Sequence, residues 1–307
     1  MVEIELQEPV QLEGVQTRLL DLHSALNVLT VISNELNILQ ILAGAPPELE
    51  HSKQQIQTLK QFLLEDQAAH ESQAEISLAL EEISSDTSAL LAKQPDLSQE
   101  IDLPLFQRNL KSLFEILKIR HQELTRRNKL PLQWGEIAVS TLKENLIHVF
   151  EAMELNSHGR YHIVYSPEQK GPGDYLLQIE IDSRDPEKIQ IPLVLQDIMR
   201  DLCANARKYS EPGGKILTKL QETPQELTLT IEDQGMGIPA EELEKIVEFG
   251  QRGSNAMVKR TMGGGFGLTK AWYFTHLLGG RMWIASELNR GTRIQLKIPR
   301  NPHSEAN

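Results

Sequence analysis

The stretch Ile231-Glu232-Asp233-Gln234-Gly235-Met236-Gly237-Ile238 ends an alternating apolar run, Leu227 to Glu232, with an acid and then two glycines. An aspartate at the end of a strand can accept a hydrogen bond from an exocyclic amine, and glycines allow backbone to come close to a ligand. Upstream, Asp201-Leu202-Cys203-Ala204-Asn205-Ala206-Arg207-Lys208-Tyr209 lies in a predicted helix from Val194 to Lys208. Its three- and four-residue spacing puts Asp201, Asn205 and Lys208 on one face. An amide oxygen suits magnesium, and an ammonium suits phosphate. Cys203, on the same helix, reads as core packing. Downstream, Gly263-Gly264-Gly265-Phe266-Gly267-Leu268 opens another helix, whose free N–H groups and dipole favour an anion. Gly291-Thr292 begins the last strand. Taken singly, each of these pieces reads as an ordinary turn; their order and their strand and helix context carry the weight.

The surrounding pattern is mixed. A helix is predicted from about Glu136 to Leu155, alternating runs at Tyr161–Tyr165 and Tyr175–Ile181, and further strands at Met282–Ser286 and Arg293–Ile298. The fold class expected is α+β, with helices layered on one face of a mixed sheet. Over Trp134 to Arg300 the segments together resemble the four boxes of the GHKL ATPases, a superfamily that includes histidine kinases, type II topoisomerases, mismatch-repair ATPases and heat-shock chaperones. The resemblance implies ATP and magnesium as cofactors. Asn205 would coordinate the magnesium, Asp233 would read the adenine amine, and Gly235 and Gly237 would shape the pocket. Lys208 would touch phosphate and Tyr209 would face adenine. Gly263, Gly265 and Gly267, followed by Leu268, would cradle phosphates, and Thr292 would complete the site. Phe249 to Met262 would form a lid, with Arg252 reaching the γ-phosphate. Asp201 departs from the kinase pattern; in hydrolysing members an acid there activates water.

The N-terminal part reads as helical. Leu22, Leu26, Leu29, Leu36 and Leu39 form a stripe broken by Ser33 and Gln40, and Gly44-Ala45-Pro46-Pro47 forces a turn. A second stretch from about Glu48 to Lys93 carries Ile56, Leu59, Leu63, Ile76, Leu80, Ile83 and Leu90. Two such helices form an antiparallel hairpin with too little core alone, so residues 1–95 are expected to pair with a second copy as a homodimeric four-helix bundle. Residues 96–131 are expected to connect this hairpin to a catalytic domain at 132–307. Within the connector, the helix from Phe106 to about Asn128 ends in a basic run, Lys118 to Lys129, that reads as a solvated face.

The composition excludes several classes. The 307 residues carry a net charge of -12, which argues against nucleic acid as a partner, and the single cysteine rules out an internal disulfide framework. No apolar run approaches a membrane span, and MVEIELQEPV lacks the basic start of a signal peptide, so a cytoplasmic protein is expected.

A helical hairpin followed by a GHKL domain resembles sensor histidine kinases. Asp21-Leu22-His23-Ser24-Ala25-Leu26-Asn27 stands where their phosphoacceptor box stands, with His23 as acceptor and an aspartate of a response-regulator protein as the next recipient. Ser24 replaces the usual acid, and the usual proline is missing. Asn27 resembles the amide that orients water for dephosphorylation in some kinases, and reads equally as an ordinary polar helix position. His51 and His70 are further candidates. The alternatives are a degenerate phosphotransfer or scaffold protein, a GHKL serine kinase, and a helical dimerisation module switched by ATP.

Overall fold

The computed structural model describes residues 1–44, 46–64, 73–94, 96–97, 102–129, 132–157, 159–256 and 264–300. The chain divides into two units, one of residues 1–20 and 130–307 and the other of residues 21–129. The helical unit is therefore inserted into the sequence of the sheet unit. This corrects the expected boundaries, which gave the first 95 residues to the helices.

The sheet unit is α+β. Its seven-stranded sheet has the order β1-β8-β9-β7-β6-β4-β3, built from β1 (Val2–Glu5), β3 (Ile163–Val164), β4 (Tyr175–Asp182), β6 (Lys215–Glu222), β7 (Glu226–Asp233), β8 (Arg281–Glu287) and β9 (Gly291–Pro299). Antiparallel pairs run from β1 to β6, while β4 pairs in parallel with both β6 and β3, so the sheet is mixed. Strand β7 alternates without a break, with Leu227, Leu229 and Ile231 buried. Those residues share a core with α5 (Val139–Leu155), α6 (Val194–Tyr209) and α7 (Phe266–Leu277). Leu142, Leu146 and Phe150 supply α5's buried face, and Leu195, Ile198, Leu202 and Ala206 supply that of α6. These steps of three and four residues produce the one-sided packing that a sheet requires.

Two expectations fail here for local reasons. The helix predicted from Glu136 begins only at Val139, because Trp134–Ala138 forms β2, paired antiparallel with β5 (Lys188–Pro192) from Trp134↔Pro192 to Ala138↔Lys188. The N-terminal residues, read only as lacking a leader, form edge strand β1, whose register on β8 runs from Val2↔Ser286 to Glu5↔Trp283. The Trp272 indole donates to Glu8 O at 2.9 Å and fastens this segment to α7.

The helical unit holds α1 (from Gly14, of which Asp21 onward belongs here, to Leu42), α2 (Pro47–Leu64), α3 (Gln73–Lys93) and α4 (Leu103–Lys129). The two-helix hairpin is thereby corrected. Residues 48–93 make two helices, and cross-links from His51 to Asp86 and from Gln55 to Glu82 show them antiparallel. The supposed connector contributes Phe106, Leu110, Leu113, Phe114, Leu117 and Leu124 to the same core as Leu22, Leu29, Leu36, Ile56, Leu63, Ile83 and Leu90. Helix α4 thus supplies from within the chain the apolar wall that a second copy was expected to provide. Part of its basic run is not solvated either: Arg120 is buried and its guanidinium pairs with Glu123 at 3.1 Å. Helix α1 is the one described helix long and apolar enough to cross a membrane, yet its leucine stripe lies in this core.

Leu117, with 1% of its surface exposed, reports on α4's role. Leu117→Ala is expected to destabilise the helical unit by about 2–5 kcal/mol, seen as faster hydrogen exchange at α2 and α3 amides. Unchanged exchange there would mean that α4 is dispensable to the bundle.

Candidate functional site

The site forms where β7 ends. Asp233 is the last residue of the strand; its Oδ1 accepts the Gly235 N–H at 2.8 Å, and the Thr292 N–H also serves it. Burial dominates these donors and pushes its carboxyl up to about 6. The next turn is tied to the end of α6, where the Met236 N–H donates to Tyr209 O at 3.0 Å. It is tied to the β8–β9 turn by Asn289 N–H to Met236 O at 2.9 Å.

The glycines answer to this closure. A Cβ at Gly235 would lie 2.4 Å from Tyr209 O, and one at Gly237, whose φ is +69°, would lie 2.2 Å from Glu287 O. Gly291 is tighter still, with 1.9 Å to Asp233 O at φ +112°. The close approach that these positions allow is therefore to the chain's own backbone. Ser286, read from the sequence only as the end of a strand, is the hub. Its hydroxyl donates to Gly291 O at 3.0 Å and accepts the Ile238 N–H at 2.8 Å. Since it has one proton, the Thr292 hydroxyl must donate to it across their 2.9 Å contact.

Cationic groups gather at the C-terminal end of α6. Lys208 is lowered to about 8, by burial first and then by Arg252 and Arg207. Its ammonium lies 5.1 Å from the centre of the Tyr209 ring. Two like charges brought together favour an anion between them. The Arg252 guanidinium also donates to Ala256 O at 3.3 Å, and Asn255 Nδ2 donates to Gly237 O at 2.9 Å, so this segment is fastened to the Asp233 turn.

Helix α7 meets the same face of α6. A Cβ at Gly267 would lie 2.8 Å from Asn205 Nδ2, so a side chain there would displace the Asn205 amide. The helix starts after Gly265, left-handed at φ +74° and without a side-chain cap, and the dipole at such a helix start favours an anion. The Phe249 and Phe266 rings, 4.7 Å apart, and the Thr269 hydroxyl on Glu248 O at 3.0 Å hold the start of the expected lid to α7. Residues 257–262 of that lid and Gly263 lie outside the described residues.

Asp201 takes part in an ion-pair cluster between α6 and α7. Its Oδ2 accepts from the fully buried Lys270 ammonium at 3.1 Å, and Lys270 also pairs with Asp197 at 3.3 Å, whose other oxygen bonds Arg200. The carboxylate is engaged in packing α6 on α7. Nothing in the sequence around Thr269-Lys270-Ala271 signals a buried ammonium. Cys203 is core, as expected: it is buried against Thr218 with its thiol pushed up to about 12.

His23 and His51, two of the candidate acceptors, lie in the helical unit. Asn27 Nδ2 donates to His23 Nε2 at 3.0 Å, which places the ring proton on Nδ1 and Nε2's lone pair against the amide. His51 bonds Asp86 at 2.8 Å. His70 lies outside the described residues.

Residues 190–302 match the family described as "Histidine kinase-, DNA gyrase B-, and HSP90-like ATPase". Within the sheet unit, these residues carry a GHKL-type ATPase domain. The match takes in Asp201, Asn205, Lys208, Asp233 and the start of α7 together. The chain is similar to adaptive-response sensory kinase SasA from Prochlorococcus marinus strain MIT 9215, 29% identical over 54% of this chain and 51% of that protein. SasA from Synechococcus sp. strain CC9311 is 28% identical over 69% and 52%. Sensor histidine kinase WalK from Bacillus subtilis strain 168 is 28% identical over 36% and 18%. The chain thus spans about half the length of the SasA relatives it matches, and it is related to sensor histidine kinases.

The GHKL pocket has two titrating groups with opposite demands. If ionised Asp233 receives a base amine, ADP affinity should fall as pH drops through about 6; if protonated Lys208 receives a phosphate, affinity should fall again as pH rises through about 8. Calorimetry across both limbs should show a maximum between them, with Asp233→Asn removing the acid limb alone. A flat profile in the unsubstituted protein would contradict these roles.

Proposed function

We propose that this chain is an ATP-dependent protein-histidine kinase, binding magnesium ATP in the sheet unit, phosphorylating a histidine of the helical unit and passing the phosphoryl group to an aspartate of a response regulator. The observation that carries the reading is the meeting, at one end of α6, of a buried carboxyl suited to an amine and a cation pair suited to phosphate. Asn205, against the open start of α7, would supply one amide oxygen to a magnesium ion otherwise held by phosphates and water. Arg252 and Lys208 would neutralise charge on the transferring group. His23 stands in the acceptor position, and cytoplasmic placement goes with this reading. The engagement of Asp201 with Lys270 favours transfer over hydrolysis, because water activation would need that carboxylate.

Asn205→Ala should weaken only magnesium-dependent binding, whereas Asp233→Ala should weaken ADP with or without metal by about 1–3 kcal/mol. With labelled ATP the chain should acquire label stable to alkali and lost in acid, slowly because Ser24 follows His23 where an acid would assist. General-base help contributes roughly 10²–10⁴-fold where it operates, so Ser24→Glu should accelerate labelling. Tight ATP binding with no label at all would instead favour the phosphotransfer or scaffold reading.

A homodimer is proposed on narrower ground than the bare hairpin gave. With α4 in the core, the apolar surface left to a second copy includes Ile38 and Ile41 on α1, 44% and 79% exposed. Light scattering should report twice 34.7 kDa, and Ile41→Glu should shift the protein toward monomer. A monomer without the substitution would end the dimer proposal.

A further inference from the structure

On the outer side of the α2–α3 pair, His51 and Asp86 form a hydrogen-bonded unit. The His51 Nδ1–H donates to Asp86 Oδ2 at 2.8 Å, and the same oxygen accepts the hydroxyl of buried Ser52 at 3.0 Å, which fixes the carboxylate. With its proton on Nδ1, the ring carries its lone pair on Nε2. The neighbour of Nε2 is Gln55 Nε2 at a long 3.4 Å, an amide whose other N–H donates to Glu82 Oε2 at 2.5 Å. At His23 the equivalent amide contact is 3.0 Å. The His51 side chain is 54% exposed, so a large donor can reach it.

Resting on the kinase reading above, we propose that His51 is a second phosphoryl-accepting histidine and that Asp86 is its positioning residue. Nε2 attacks the γ-phosphorus of ATP, and the Nε2–P bond forms as the bond from that phosphorus to the β–γ bridging oxygen breaks. ADP leaves with the electron pair. The ring takes on one positive charge, which Asp86 stabilises through Nδ1–H, and that proton is then released to solvent to leave neutral phosphoimidazole. The same hydrogen bond raises the resting His51 pKa above the ordinary histidine value, the sign of a carboxylate that favours a positive ring. A carboxylate that orients an imidazole and stabilises its charged form is the established way to make histidine reactive.

The full chain is incubated with magnesium and γ-labelled ATP, and separately with phosphoramidate, a small donor that needs no nucleotide site; phosphohistidines are mapped by mass spectrometry. In His23→Gln, ATP is expected to label the His51 peptide. Adding His51→Gln abolishes that label, and adding Asp86→Asn slows it roughly 10- to 100-fold. Asp86→Asn should also lower the His51 pKa in a proton NMR titration, which a merely structural role would not require. Labelling by ATP that vanishes entirely in His23→Gln overturns the proposal while the kinase reading stands. Should ATP label nothing, phosphoramidate decides: modification of His51 upholds the acceptor and locates the failure in the kinase reading, and none there overturns it.

Discussion

The hydrogen bond from the Met236 N–H to Tyr209 O joins the two halves of the candidate site, because it ties the turn after β7 to the end of α6. One side of that joint carries Asp233 and the other carries Lys208 and Tyr209. The joint tolerates no side chain at Gly235, and its neighbours Gly237 and Gly291 are equally crowded by backbone. A nucleotide-sized ligand needs its base and its phosphates recognised by groups held at a fixed separation. Here that separation is set by backbone packing, with Ser286 bonding both the Ile238 turn and the start of β9, and side-chain flexibility has little part in it.

A second constraint lies one helix away. Lys270, Asp197, Asp201 and Arg200 place four charged groups between α6 and α7, where an apolar contact would have served packing alone. Removing one partner of such a cluster leaves a buried charge uncompensated, which costs about 3–5 kcal/mol. Its register is the one that sets Gly267 against Asn205, so the charged contact and the proposed magnesium ligand share one helix pairing. The helical unit has its own core, to which all four helices contribute.

Much of the sheet unit was legible in the sequence because its strands alternate: the runs at Tyr175, Leu227, Met282 and Arg293 all occur as strands within a residue or two of their predicted ends. The helix of Asn205 was equally plain from its apolar spacing. What escaped was long-range. Strands β1, β2 and β5 are short and gain their hydrogen bonds only from distant partners, as Val2 does from Ser286. The DxGxG turn was readable, but the reason for its glycines was not, since Tyr209 O and Glu287 O come near only in the folded chain. Likewise α4's stripe was visible, while its partner, the core of α1 to α3, was not.

The claim on which the functional account rests is that Asp233 reads an exocyclic amine, and it is tested most directly by changing the ligand. ADP and inosine diphosphate differ at the C6 edge of the base, an exocyclic amine in one and a carbonyl oxygen in the other, with the adjacent N1 changing from acceptor to N–H donor. Affinities measured side by side by calorimetry should favour ADP by about 1–3 kcal/mol in the unsubstituted protein, since a buried acceptor left facing another acceptor is penalised. Equal affinities for the two would contradict the assignment of this corner as the adenine site.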